Sequence, residues 1–114
     1  LGHTNSLTIS LINNKLKYIM FKGANLIDRI YLSQNQIENI TNETFQACYR
    51  ISNLDLSKNR IKFIEQNAFD DLNKLDEINL IYNFLINLDN FAFSKQTLLT
   101  KLSLSHNILE ILKN

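Results

Sequence analysis

Asparagine recurs at a fixed interval along most of this chain, and that interval limits what the chain can fold into. The recurring residues are spaced by 24 positions, at Asn35, Asn59, Asn83 and Asn107. Apolar residues keep a constant register around each of them. Around Asn59 they are Leu54, Leu56, Ile61 and Ile64. So strict a period predicts similar units stacked in a row, each burying its apolar face on its neighbours.

The residues before each asparagine have the pattern of a half-buried β-strand. Leu54 and Leu56 alternate with polar residues, which is typical of a strand with one apolar face. The pattern predicts strands at Thr8–Leu11, Arg29–Ser33, Asn53–Ser57, Glu77–Ile81 and Lys101–Ser105. Strands of successive units can pair in a parallel sheet. Because the return legs are bulkier than the strands, the stack should bend with the sheet on its inner face.

We assign the asparagine row, Asn14, Asn35, Asn59, Asn83 and Asn107, a structural role. A buried amide can donate to and accept from backbone groups that the turn after a strand leaves unpaired.

Ten positions after three of these asparagines stand Phe45, Phe69 and Phe93. The step from Asn14 to Asn35 is 21 residues, and we place the missing residues in the return leg, with Ala24 in the phenylalanine position. Gln96 replaces an expected leucine, which predicts looser packing there.

Together these residues resemble the leucine-rich repeat family, specifically its 24-residue class, found mostly in extracellular proteins such as Toll-like receptor ectodomains. The resemblance covers nearly the whole chain. It implies an α/β-type repeat solenoid, mainly β with irregular or 3-10 return legs, wound as a curved right-handed superhelix with a parallel sheet on the concave face. We expect one solenoid over residues 1–114 of about five repeats, at approximately 6–26, 27–50, 51–74, 75–98 and 99–114.

Extracellular relatives usually close both ends with cysteine-rich caps, and one cysteine, Cys48, provides neither. We therefore expect apolar edges at both ends, in a piece of a longer array or in two copies that self-associate to cover each other's ends. Cys48 is interpreted as a buried small hydrophobe, with a reactive thiol and an intermolecular bridge as the alternatives.

Charge and hydropathy exclude some partners. The net charge is +1 and the 12 basic residues are spread along the chain, which argues against nucleic acid and a polybasic membrane patch. No apolar run approaches the roughly 20 residues that span a bilayer, so we expect no direct membrane insertion. His3 and His106 lie far apart, and Gly2 and Gly23 cannot form a phosphate-binding loop. We therefore predict a non-enzymatic protein without cofactor or metal.

The variable strand positions suggest where a partner binds. The fourth unit carries Ile81, Tyr82 and Phe84 where the third carries Ser57, Lys58 and Arg60. Aromatic residues ringed by charges favour tight interfaces, so we predict a concave and lateral surface of Tyr31, Asp55, Glu77, Ile81, Tyr82, Phe84 and Lys101. Glu77 and Lys101 can form an exposed ion pair worth at most about 1 kcal/mol. The alternative is that the apolar residues are ordinary exposed side chains.

The leading functional hypothesis is an extracellular recognition segment of a receptor or of a secreted immune or adhesion protein, binding a protein or glycoprotein ligand. One alternative is a structural spacer within a longer ectodomain. Another is an intracellular repeat protein that acts as an assembly scaffold.

Two acceptor motifs, Asn39-Ile40-Thr41 and Asn42-Glu43-Thr44, predict glycosylation in a secretory host. We expect glycan on Asn39 or Asn42, measured as added intact mass after secretion. Sugar on Asn35 or Asn59 would contradict the prediction that those amides are buried and hydrogen-bonded.

Overall fold

Five short strands form one parallel sheet in the computed structural model, which describes residues 5–89 and 91–110. They are β1 (Thr8–Ser10), β2 (Arg29–Tyr31), β4 (Asn53–Asp55), β6 (Glu77–Asn79) and β7 (Lys101–Ser103), adjacent in chain order. Two further strands, β3 (Asn39–Ile40) and β5 (Phe63–Ile64), pair in parallel on the return side. The chain therefore winds as a solenoid, as predicted. We number its units first to fifth by the strands of the larger sheet.

The central residue of each strand in the larger sheet points into the core. Ile30, Leu54 and Ile78 are aligned across three strands and are at most 2% exposed. Leu56 and Leu80 are fully buried, whereas Asp55 and Asn79 are partly exposed. The predicted strand register is therefore confirmed, since a slip of one residue would have exchanged these two sets.

The strands end one or two residues earlier than predicted. Asp55 Oδ1 accepts a hydrogen bond from the N–H of Ser57 at 3.0 Å, and Asn79 Oδ1 does the same for Ile81. The other three strands of the larger sheet end at the same repeat position without such a bond among the described residues, so these side chains reinforce the end of the strand in two units and do not set it. Hydrogen bonds between units nevertheless continue, for example from Lys58 N–H to Ile81 C=O at 2.9 Å.

Each asparagine from the second unit onward joins its own turn to the preceding unit. Asn59 Oδ1 accepts from Ile37 N–H at 3.1 Å, and its Nδ2 lies 3.0 Å from Leu32 C=O and 3.1 Å from Leu56 C=O. The equivalent contacts are made by Asn35, Asn83 and Asn107. A polar side chain thus completes the backbone hydrogen bonding at every one of these turns.

Asn14 does not share this environment. It is exposed, and its Nδ2 donates only to Ile12 C=O, at 3.2 Å. No earlier unit lies beside it within the described residues, so its amide has no second turn to join.

Four phenylalanines stack in a row along the return side. Centroid distances are 5.9 Å for Phe21–Phe45, 6.3 Å for Phe45–Phe69 and 5.3 Å for Phe69–Phe93. The prediction that Ala24 takes the phenylalanine position in the first unit was therefore wrong. Phe21 takes it, so the shortening of that unit lies between Asn14 and Phe21.

The return legs consist of successive turns, without a helix in the described part of the chain. Hydrogen bonds from Cys48 N–H to Phe45 C=O and from Leu72 N–H to Phe69 C=O span three residues each. These are isolated turns with the hydrogen-bond spacing of a 3-10 helix. No described segment is a helix that could cross a membrane.

Cys48 and Gln96 occupy the same position in two units, three residues after a phenylalanine. Cys48 is fully buried, and its Sγ–H donates to Phe21 C=O at 3.0 Å. Burial raises the pKa of the Cys48 thiol, which disfavours the reactive thiolate. Gln96 is 7% exposed and its Nε2 donates to Phe69 C=O at 2.6 Å. Gln96 therefore packs in the leucine position and binds the preceding unit, instead of opening the return leg.

We expect Asn59→Leu to lower the free energy of unfolding by roughly 1–3 kcal/mol, because it strands the backbone groups that the amide satisfies. Asn14→Leu is the matched control, since the same substitution at an exposed turn should cost less than about 0.5 kcal/mol. Chemical denaturation measures both. Equal losses would contradict the role assigned to the buried amides.

Gln96→Leu should stabilise the protein by about 1 kcal/mol, because it removes a buried acceptor, Gln96 Oε1, that has no hydrogen-bond partner in the described part of the chain. Phe69 C=O keeps its bond from Leu72 N–H in the variant. Gln46→Leu, at an exposed position, serves as the control. A lower unfolding midpoint for Gln96→Leu than for the unmodified chain would contradict this expectation.

Candidate partner-binding surface

The outward side chains of the larger sheet form two rows. The first row holds Thr8, Arg29, Asn53, Glu77 and Lys101, and the second holds Ser10, Tyr31, Asp55, Asn79 and Ser103. Between them lies a shallow depression of about 180 Å³. Four predicted residues line it together: Tyr31, Asp55, Glu77 and Lys101.

Sequence reasoning did not select Asn53, Asn79 and Ser103, which also line this depression. Their signal was available, because they occupy the same repeat positions as the residues that were selected. They supply amide and hydroxyl groups beside the charges, so the floor of the depression can both donate and accept hydrogen bonds.

Glu77 bonds to the strand on its other side rather than to Lys101. Asn53 Nδ2 donates to Glu77 Oε2 at 3.1 Å, and the described residues contain no ion pair between Glu77 and Lys101. The expected ion pair was therefore wrong, because the carboxylate of Glu77 accepts a hydrogen bond from Asn53 on β4 instead of pairing with Lys101 on β7. Lys101 remains exposed and available to a partner.

Ile81, Tyr82 and Phe84 do not line the depression, because they lie in the turn beyond the strand. Ile81 is half-buried, whereas Tyr82 and Phe84 are each 48% exposed. Tyr82 stacks on His106 with ring centroids 4.1 Å apart and ring planes within 4°. We call Tyr82, Phe84, His106 and Ile108 the lateral cluster.

Sequence reasoning missed the last two members of the lateral cluster. Ile108 is 58% exposed and occupies the repeat position of Phe84 in the next unit. His106 likewise follows Tyr82 by one repeat. The period of 24 residues could have identified both, since equivalent positions in successive units lie side by side.

Asp28 and Arg50 pair with each other outside this surface. The N–H of Leu7 donates to Asp28 Oδ2 at 2.9 Å, and the guanidinium of Arg50 lies 3.2 Å from Asp28 Oδ1. The hydrogen bond from Leu7 is the main reason that the pKa of Asp28 lies below its ordinary value, and the positive charge of Arg50 adds to the effect. Neither Asp28 nor Cys48 lines the depression. Within residues 5–89 and 91–110, no group of three or more His, Cys, Asp or Glu could hold a metal ion.

The two predicted glycan acceptors are exposed, Asn39 on β3 and Asn42 in the turn that follows. Thr44 of the second motif is buried, and its Oγ1 accepts from Thr41 N–H at 3.0 Å. Glycosylation of either residue stays a prediction.

Apolar positions in the first and last units are more exposed than their counterparts in the middle: Ile9 is half-buried, whereas Ile30 in the next unit is fully buried. Leu102 is 39% exposed, whereas Ile78 one repeat earlier is 1% exposed. Leu109 is 37% exposed and its counterpart Leu85 is fully buried. Self-association through these edges stays a prediction. His3 and Gly2 lie outside the described residues.

A model of the leucine rich repeat family matches residues 26–85. Among solved structures, Drosophila Toll in the Toll–Spatzle complex aligns with 90% of this chain at a TM-score of 0.83 and 22% identity. Human 5T4, also called Wnt-activated inhibitory factor 1 or trophoblast glycoprotein, aligns with 90% at a TM-score of 0.76 and 25% identity. The aligned parts are 16% of the Toll chain and 38% of the 5T4 chain.

A structure of a TLR13–ssRNA13 complex aligns at a TM-score of 0.43 and 18% identity, over 91% of this chain and 22% of that one, too weakly to carry an inference. No curated protein sequence matches the chain.

Proposed function

The chain belongs to the leucine-rich repeat family, and we propose that it is a non-enzymatic protein-recognition module within an extracellular receptor or a secreted immune or adhesion protein. Its ligand is a protein or glycoprotein, and it binds without cofactor, nucleic acid or direct membrane insertion. The ligand contacts the solvent-exposed face of the larger sheet and the lateral cluster beside it.

The observation that carries this proposal is the arrangement of aromatic and charged side chains on a stiff scaffold. Tyr31, Asp55, Glu77 and Lys101 meet at one depression across four strands. Tyr82 and Phe84 stand beside it, about half exposed. A ligand could engage several units without ordering a loop, so little conformational entropy would be lost on binding.

A general property of this fold and the aligned structures support a protein ligand. Repeat solenoids of this kind bind their partners on an extended sheet face. The aligned Toll structure is a complex with Spatzle, and the aligned 5T4 is a glycoprotein. Because this chain covers a minor part of both, its own ligand is defined only by class.

The test is quantitative capture of secreted and cell-surface proteins by the immobilised chain. We expect Tyr82→Ala combined with Phe84→Ala to abolish retention of specifically bound proteins, because each aromatic anchor of a hot spot contributes roughly 2 kcal/mol or more. Tyr49→Ala is the matched control: Tyr49 is 47% exposed on the return side, and its removal should leave capture unchanged.

Circular dichroism and thermal unfolding must first show that the variants are folded. Equal capture by the double variant and the unmodified chain would remove this surface from the proposal and favour the structural spacer. Loss of capture in Tyr49→Ala alone would place the binding site on the return side instead.

A further inference from the structure

The hydrogen-bonded ladder on the return side is interrupted between the third and fourth units. From the second to the third unit it runs through Lys62 N–H to Glu38 C=O at 2.9 Å, the β3–β5 pairing and Glu65 N–H to Ile40 C=O at 2.8 Å. From the third to the fourth unit, Phe84 N–H bonds to Ile61 C=O at 2.9 Å. Beyond that bond, no backbone hydrogen bond joins residues 62–66 to 86–89.

A groove of about 590 Å³ lies at this interruption, lined by residues 62–66 on one side and 87–89 on the other. On the first side β5 pairs with β3 only, so its second edge has no strand partner in the described chain. On the other side, the structure gives the N–H groups of Asn87 and Leu88 no partner among residues 5–89 and 91–110. Unpaired strand edges are templates for another strand.

Local side-chain chemistry accounts for the opening. Asp89 Oδ1 accepts from Phe91 N–H at 2.8 Å, and Asp89 C=O accepts from Ala92 N–H at 3.0 Å. The third unit makes the same carbonyl bond, from Ala68 N–H to Glu65 C=O at 2.9 Å, so the bond from Phe91 N–H to the Asp89 carboxylate is what distinguishes the fourth unit. In the third unit the same position is Glu65, whose N–H bonds to Ile40 C=O and whose Oε1 accepts from Asn42 N–H at 2.8 Å, both in the second unit.

We propose that this groove binds an extended peptide segment of a partner protein, which inserts as a strand between β5 and residues 87–89. The site is distinct from the sheet surface proposed above. A rim of five residues suits an extended segment of about five residues, at about 3.3 Å per residue. Backbone hydrogen bonds supply affinity in this mode of recognition, and alternate side chains supply specificity.

The lining defines the side chains of the segment. Phe63, 53% exposed, and the partly buried Leu88 offer apolar contacts. Glu65 and Asp89 contribute two negative charges that, among the described residues, are bonded only to neutral backbone N–H groups, of Asn42 and Phe91. The charge of Lys62, by contrast, is paired with Glu38 at 3.5 Å. The segment therefore alternates apolar and basic residues. A second copy of this chain fits poorly, because its own β5 edge would bring another Glu65 to an acidic groove.

The probe is acetyl-Val-Lys-Val-Lys-Val-amide, titrated into the isotopically labelled chain and followed by amide chemical shifts. We expect shifts at residues 62–66 and 86–89. N-methylation of alternate peptide nitrogens should weaken binding about tenfold, because it removes backbone donors without changing charge. Asp89→Asn removes one negative charge, so it should weaken binding of the lysine probe but not of a peptide with glutamate in place of lysine. The turn itself should be kept, because the amide oxygen of asparagine can still accept from Phe91 N–H.

Phe63→Ala should weaken binding of the probe severalfold, while Tyr49→Ala leaves it unchanged; both residues are about half exposed, so neither loss need disturb the core. Equal affinity of the methylated and unmethylated peptides would overturn the proposal. So would shifts confined to the larger sheet, or no shift at millimolar peptide. Amide chemical shifts that change with protein concentration in the absence of peptide would indicate that a second copy of this chain, and not a partner protein, occupies the groove.

Discussion

The hydrogen bonding of the asparagine side chains is the interaction on which the rest of this structure depends. Each turn after a strand forces a non-glycine residue into left-handed geometry: Gln34, Lys58, Tyr82 and His106 have φ of 56–59°. That conformation is unfavourable for ordinary side chains. It is held because the next residue, an asparagine, binds carbonyl groups of two units at once. Without those bonds, buried backbone groups at every turn would lack partners.

Much of this arrangement could be predicted from the sequence, because a strict period repeats each environment. The period was enough to predict which faces of the strands are buried and where the asparagines lie. The position of Phe21 could have been predicted too, since it precedes Phe45 by 24 residues; counting forward from Asn14 misplaced the shortened segment. The early ends of the strands could not be predicted, because the alternation of apolar and polar residues continues past Asp55 and Asn79 although the strands end there.

The functional surface was only partly predictable for a similar reason. The repeat identifies positions that face outward, so Tyr31, Asp55, Glu77 and Lys101 were found together. It does not specify which of two neighbouring strands a side chain bonds to, and Glu77 accepts a hydrogen bond from Asn53 instead of pairing with Lys101. The interruption on the return side has the same origin. The third and fourth units share a backbone path in general, yet the Glu65 carboxylate bonds to Asn42 of the second unit, whereas the Asp89 carboxylate bonds to Phe91 within its own turn.

Residue-resolved hydrogen exchange tests most directly whether the asparagine contacts hold the units together. The N–H groups of Ile37, Ile61 and Leu85 donate to asparagine Oδ1 atoms. They should exchange only by opening events that approach global unfolding. Asn87 and Leu88, without partners in the described chain, should exchange far faster. Exchange at Ile61 as fast as at Asn87 would contradict the account.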